Sequence, residues 1–205
     1  MEEATRSPAE QLVERVNSAC AGLVTAAAIE CGDVVLSVST TNISQVLKQC
    51  KESAELDFSM LIDITAVDWM DARPERFEVV YQLLSISKRT RLTIKVALSE
   101  DKPEIPSATA LWNGANFLER EVWDMFGIRF VGHPDLRRIL MYEEFVGHPL
   151  RKDYPVQGKQ PRIPLRYPEV ENTARKMHRG DLVTIRARPK GENSPRQTSD
   201  QGRGA

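Results

Sequence analysis

Arg76-Phe77-Glu78-Val79-Val80-Tyr81-Gln82-Leu83-Leu84-Ser85-Ile86 is followed by the basic turn Ser87-Lys88-Arg89-Thr90-Arg91 and then by Leu92-Thr93-Ile94-Lys95-Val96-Ala97-Leu98. In the first run Phe77, Val79, Tyr81 and Leu83 fall on one face, and in the second Leu92, Ile94, Val96 and Leu98 do the same. A repeat of two is the signature of a strand with one buried face. The short connection makes the pair an antiparallel hairpin.

The same reading extends towards the N-terminus. Residues 60–67 place Ile62, Ile64 and Ala66 on the apolar face, alternating with Asp63 and Thr65. Residues 68–75 hold Pro74 and several charges and read as a loop. A helix is expected over 42–56, because Ile43, Val46, Leu47 and Cys50 recur at i, i+3, i+4 and i+7, with Thr41 or Asn42 as its cap. Residues 25–30 and 34–39 are strands around a Cys31-Gly32-Asp33 turn. Residues 8–20 form a first helix, with Leu12, Val13 and Val16 on one face and Glu10, Glu14 and Arg15 opposite.

Towards the C-terminus, 100–106 is a loop with two prolines. A helix follows with Leu118, Val122, Met125 and Phe126 as its stripe. Asn116 stands three residues before Glu119, as in a capping box, and Gly127 sits where a glycine ends a helix. Beyond it prolines fall at 134, 149, 155, 161, 164 and 168, a density through which no regular periodicity runs. The expected fold is α/β (α+β-like): a mixed sheet of about five strands with flanking helices in a body over 1–128. A long extended, basic, proline-rich arm over 129–170 follows, ordered by lying along another protein, and then a polar basic tail over 171–205, partly disordered.

The 205 residues suffice for one well-cored domain with an extension or for two very small domains, and 41% hydrophobic with 28% charged residues is a globular composition. No apolar run approaches the ~20 residues that span a bilayer, and the N-terminus lacks the basic and apolar segments of a secretory signal. Cytoplasmic residence is expected, with membrane contact only through a partner. Residues 1–128 carry 12 Lys and Arg against 20 Asp and Glu, a net −8, while 129–205 carry 16 against 9, a net +7. An acidic body with a basic arm suggests that the arm lies on something negative.

Three groups of residues invite a chemical reading. Glu119, Glu121 and Asp124 form an acidic cluster able to do acid–base work or bind a metal; solvation or pairing with Arg120 is the structural alternative. Val131-Gly132-His133-Pro134 and Val146-Gly147-His148-Pro149 form a near-repeat. With Asp135, Glu143 and Glu144 its histidines are candidate metal ligands, but Gly-His-Pro is also a natural turn. His178 belongs to a basic stretch. Arg137, Arg138, Arg151, Lys152, Arg162 and Arg166 suit either a nucleic acid or carboxylates across a protein interface. Cys20, Cys31 and Cys50 are odd in number and widely spaced, which argues against a disulfide framework or a cysteine-bound cluster. Phosphate-binding glycine loops and a nucleophile elbow are absent from the sequence.

Glu119-Arg120-Glu121-Val122-Trp123-Asp124-Met125-Phe126-Gly127, continuing to His133 and Arg137-Arg138-Ile139-Leu140, resembles the signature of the thirty-kilodalton subunit family of complex I. Gly147-His148-Pro149-Leu150-Arg151-Lys152-Asp153-Tyr154-Pro155 looks like the second block of that family. The resemblance covers about 34–170. It implies the C subunit of the bacterial, fourteen-subunit NADH:quinone oxidoreductase: a non-catalytic structural subunit, without cofactor, peripheral on the cytoplasmic side of the inner membrane. FMN and iron–sulfur clusters belong to partner subunits. The resemblance also implies contact with the D subunit, of the forty-nine-kilodalton type, and with its neighbours in the hydrophilic arm near the quinone end, and no nucleic acid. Glu119, Arg120, Glu121, Asp124, His133, Arg137, Arg138, His148, Arg151, Lys152 and Asp153 are its candidate interface residues. Sister complexes linked to ferredoxin, F420H2 or hydrogenase use the same fold and are the alternative.

Overall fold

The computed structural model describes residues 7–158 and 160. Residues 161–170 of the expected arm and the tail 171–205, with Arg162, Arg166 and His178, lie outside the described residues.

Helix α1 (Pro8–Ala19) starts with a capping box that the sequence reading did not single out: Glu10 N–H donates to Ser7 Oγ, and Ser7 N–H donates to Glu10 Oε2. Strands β1 (Val24–Glu30) and β2 (Asp33–Val38) form the expected hairpin. Helix α2 (Ile43–Glu52) is shorter than expected, because Ser53 has extended backbone (φ −68°, ψ 123°). Asn42 stands at its cap position, but its side-chain amide donates to the Leu23 carbonyl instead.

Strands β3 (Met60–Asp68), β4 (Phe77–Ser85) and β5 (Thr90–Leu98) complete a five-stranded sheet in the order β1-β2-β5-β4-β3. All neighbours are antiparallel except β2 and β5, which makes the sheet mixed, as expected. Leu36, Ile94, Tyr81 and Ile64 form one cross-strand row over four strands, and all are buried. This face packs with Leu12, Val16, Val46, Leu47 and Val122 of the helices into a single core.

Two expectations change in β3. Ile62 is 42% exposed rather than in the core, because the register shifts between Leu61 and Asp63 and turns it outward. Asp68, read as loop, is the last residue of β3 and is buried opposite Phe77. The expected loop 100–106 also holds a short strand, β6 (Glu104–Pro106), parallel to β7 (Arg129–Val131) at the start of the arm.

Helix α3 (Ala115–Phe126) packs against β3. Its N-cap is Gly114, without a side-chain bond, so the expected capping box is absent: Asn116 lies in the first turn, and Glu119 points inward. Gly127 ends it in the left-handed conformation (φ 75°), as expected.

The Tyr81 hydroxyl is fully buried on β4 and has no hydrogen-bond partner among the described residues. A buried unpaired hydroxyl costs about 1–3 kcal/mol. Tyr81→Phe is therefore expected to raise stability by about 1 kcal/mol, read as an upward shift of the thermal midpoint; a fall would show that the hydroxyl is satisfied in solution.

Candidate functional site

The acidic cluster divides by burial. Glu121 faces solvent, whereas Glu119 and Asp124 have no exposed surface. An ionised carboxylate in that position must be hydrogen-bonded on nearly every side.

Glu119 joins α3 to the loop after β6. Its Oε1 accepts from the Ala108 N–H at 2.6 Å and its Oε2 from the Ser107 hydroxyl at 2.7 Å. Burial pushes its carboxyl up to about 7, against the opposing pull of those two bonds.

Asp124 organises the arm. Its Oδ2 accepts three consecutive backbone N–H groups, from Ile139 (3.1 Å), Leu140 (2.9 Å) and Met141 (2.8 Å). Its Oδ1 accepts from Arg138 Nη1 at 2.6 Å. Burial would raise this carboxyl, but the three N–H groups and the guanidinium outweigh it and hold it below its ordinary value. Arg138 then donates through Nη2 to the carbonyls of Phe145 (2.9 Å) and Gly147 (3.0 Å), and its guanidinium lies 5.6 Å from the Phe145 ring centre. One ion pair thus fixes both ends of the 138–147 loop. Within the arm, Tyr142 packs edge-on against Phe145, which stacks on Tyr154.

The arm also closes the C-terminus of α3. Four carbonyls at a helix end lack partners within the helix. Here Trp123 O accepts from Gly127 N–H, Asp124 O from His148 Nδ1 (3.0 Å), Met125 O from Leu150 N–H (3.1 Å) and Phe126 O from Arg151 Nε (2.5 Å). Cationic Arg138 and Arg151 stand at the negative end of the helix dipole. His148 donates as a neutral ring, its pKa lowered by burial and by the nearby arginines. Gly127 is required twice over: its φ is positive, and a Cβ there would lie 2.6 Å from both Arg151 and His148.

Two further contacts hold the arm's start. His133 Nε2 donates to the Asn116 carbonyl at 3.1 Å, while its Nδ1 accepts from Asp135 N–H. Arg120 does not pair with Asp124; it donates to the carbonyls of Arg137 and Arg138. Both Gly-His-Pro segments are turns with positive φ at Gly132 and Gly147, and each delivers its histidine to an α3 carbonyl. Among the described residues no group of three or more His, Cys, Asp or Glu is placed to hold a metal ion.

A second anchor was not visible in the sequence. Arg76, 6% exposed, forms a two-point pair with Asp68 (3.1 and 3.0 Å) and reaches Glu100 (2.5 Å) and Asp153 (2.8 Å). Asp68 also accepts the Lys152 N–H at 2.9 Å. Against the penalty of burial, Arg76 and the Lys152 and Met70 N–H groups lower the Asp68 carboxyl to about 2. Asp68 and Arg76 flank a charged turn, a position that reads as solvated surface until Asp153 arrives from the distant arm.

Of the candidate residues, Glu119, Arg120, Asp124, His133, Arg138, His148, Arg151 and Asp153 therefore bond within the chain. Arg137 pairs with Asp135 at the surface, and Glu121 and the Lys152 side chain are exposed. Beside these charged residues and the exposed Glu143 and Glu144, the arm also turns apolar side chains outward: Leu140, Tyr142, Val146, Leu150 and Val156 are all exposed.

Residues 36–160 match the family described as "Respiratory-chain NADH dehydrogenase, 30 Kd subunit". The chain is similar to the C subunit of NADH-quinone oxidoreductase from Citrifermentans bemidjiense, 51% identical over 62% of this chain and 77% of that one. It is 45% identical to a C subunit of the same enzyme from Rhizobium etli over 72% and 73% of the two chains. Among solved structures, the trypsin-resistant fragment (1–134) of Nqo5 superposes with TM-score 0.54 at 33% identity, over 62% of this chain and 98% of the fragment. A chain of an archaeal membrane-bound sulfane sulfur reductase shares the fold, with TM-score 0.62 at 24% identity over 83% and 93%.

Replacing Asp124 with Ala leaves Arg138 and three N–H groups unpaired, and is expected to cost about 3–5 kcal/mol. Urea unfolding reads the loss, and proteolysis within 132–154 should accelerate; an unchanged urea midpoint would remove Asp124 as the organiser. Glu119 gives a pH signature. Its folded carboxyl holds a proton to about 7, whereas the unfolded one releases it near pH 4.3. Stability therefore falls as pH rises between these values, by up to about 1.4 kcal/mol per unit. Glu119→Gln is expected to flatten that slope in unfolding measured from pH 4.5 to 7.5.

Proposed function

Because the chain belongs to the family described as the 30 Kd subunit of the respiratory-chain NADH dehydrogenase, we propose that it is a structural subunit that braces the electron-transfer arm of that complex near the quinone end. It is a subunit of NADH-quinone oxidoreductase, an enzyme complex, and its partners are other subunits of that complex. In this reading it performs no chemistry itself. FMN and iron–sulfur clusters reside in partner subunits, and its main neighbour is the D subunit. It lies on the cytoplasmic side of the membrane and meets the bilayer only through partners. No helix among the described residues is long and apolar enough to cross a membrane.

The observation that carries the proposal is the group of exposed apolar side chains on an arm whose principal arginines and histidine are bonded within the chain. Arg138, Arg151, His148 and Asp153 spend their polar groups on their own chain, and Leu140, Tyr142, Val146, Leu150 and Val156 face outward. Exposed apolar side chains gathered on one segment are the makeup of the centre of a protein interface, and the exposed Arg137, Glu143, Glu144 and Lys152 of the same segment supply the polar contacts such an interface also carries. A segment immobilised before docking also loses little entropy on binding. The arginines engaged with backbone carbonyls are poorly placed to bind phosphates, so the nucleic-acid reading has less support than the interface reading.

Leu140→Asp with Leu150→Asp tests this. These side chains are more than half exposed (57% and 54%), so the isolated chain should keep its stability within about 0.5 kcal/mol. Native electrophoresis of detergent-solubilised membranes should then show the variant missing from the NADH:quinone-active assembly. Normal incorporation would sink the docking role of the arm.

A further inference from the structure

The far side of the molecule carries a second surface that the arm does not use. Strand β1 lies at the end of the sheet, and among the described residues nothing pairs with its outer edge. Thr25 to Glu30 are all exposed. Edge strands ordinarily protect their free N–H and C=O groups with lysine, proline or inward charges. β1 reads Val-Thr-Ala-Ala-Ala-Ile-Glu: its only charge is at the last position, where Glu30 is paired with Lys95 at 3.2 Å, and its bulge lies at the other end, between Val24 and Ala26. Three successive alanines are poor strand formers and bury little themselves, but they let another backbone approach closely with large side chains above and below.

Beside this edge runs an open groove of about 600 Å³ between α1 and β1. Its apolar lining is Val13, Ala27 and Ile29, and its acidic lining is Glu10 and Glu14. Ile29 keeps 45% of its surface exposed there. The two features specify one kind of occupant. A free strand edge is completed by an extended segment hydrogen-bonded along it, an apolar groove takes an apolar side chain, and two carboxylates select a basic one.

We propose that β1 is a β-augmentation site that receives an extended segment of a neighbouring subunit, alternating apolar and basic residues. The incoming strand extends the sheet beyond β1, seats an apolar side chain against Val13 and Ile29, and places a lysine or arginine towards Glu10 and Glu14. The proposal rests on membership of a multi-subunit assembly but not on the docking of the arm.

Hydrogen–deuterium exchange of the full chain, alone and within the purified complex, tests both separately. The outward amides of 24–30 should exchange rapidly in the isolated chain and at least about tenfold more slowly in the complex. Equal rates in the two samples would overturn the proposal. Protection already present in the isolated chain would overturn it too, since a second copy or another part of this chain would then occupy the edge. Several amides of 139–150 are already bonded within the chain, so it is their further slowing in the complex over the isolated chain that reports on the arm: such slowing with none at 24–30 defeats only the edge proposal, and the reverse defeats only the arm. Glu14→Lys should return the exchange of 24–30 towards the isolated rate; full protection in that variant would overturn the basic character assigned to the partner.

Discussion

A carboxylate with no exposed surface is tolerated only if its oxygens are nearly saturated with donors, and Asp124 meets that demand with residues 14 to 17 positions downstream. The chain after α3 must therefore turn back so that three consecutive N–H groups and one guanidinium converge on the helix. Once Arg138 is committed, its remaining donors select the carbonyls of Phe145 and Gly147. Gly147 precedes the histidine that caps α3. A single buried charge thus propagates order through a segment that has no helix or strand of its own beyond β7 among the described residues.

Arg76 plays the reciprocal part at the other end. It is a buried cation that gathers Asp68 from the neighbouring strand, Glu100 from the loop after β5 and Asp153 from the arm. Between the two anchors, the α3 C-terminus takes its missing donors from His148, Leu150 and Arg151. Arg138 and Arg151 have a structural use here: their guanidinium groups satisfy carbonyls and a carboxylate that would otherwise be buried unpaired.

Asp124, Arg138, His148 and Arg76 do internal work, where low dielectric strengthens their bonds, while Leu140, Tyr142, Val146 and Leu150 stay exposed beside the charged Arg137, Glu143, Glu144 and Lys152. The body contributes stability through one continuous core beneath its helices, and the arm contributes a shaped surface. On the opposite edge, the alanine-rich β1 has no strand paired with its outer side among the described residues.

The strand and helix periods were legible in the residues alone. Phe77, Val79, Tyr81 and Leu83 alternate because one face of β4 is buried, and Gly127 marks the end of α3 because few other residues accept its backbone angles. The two motif blocks identified the family, since they carry the residues that the fold spends on its anchors. What the sequence left open was the direction in which polar side chains point. Glu119 and Asn116 have the spacing of a capping box, yet Glu119 turns inward to Ser107 and Ala108; Ile62 alternates correctly, yet a bulge turns it out. Arg137 and Arg138 read as a surface for something negative, and only the folded chain shows them paired with its own Asp135 and Asp124. Local spacing fixes the period of a segment, but the partner of a charge is chosen by whichever distant group the fold brings within about 3 Å, and only the tertiary structure supplies that distance.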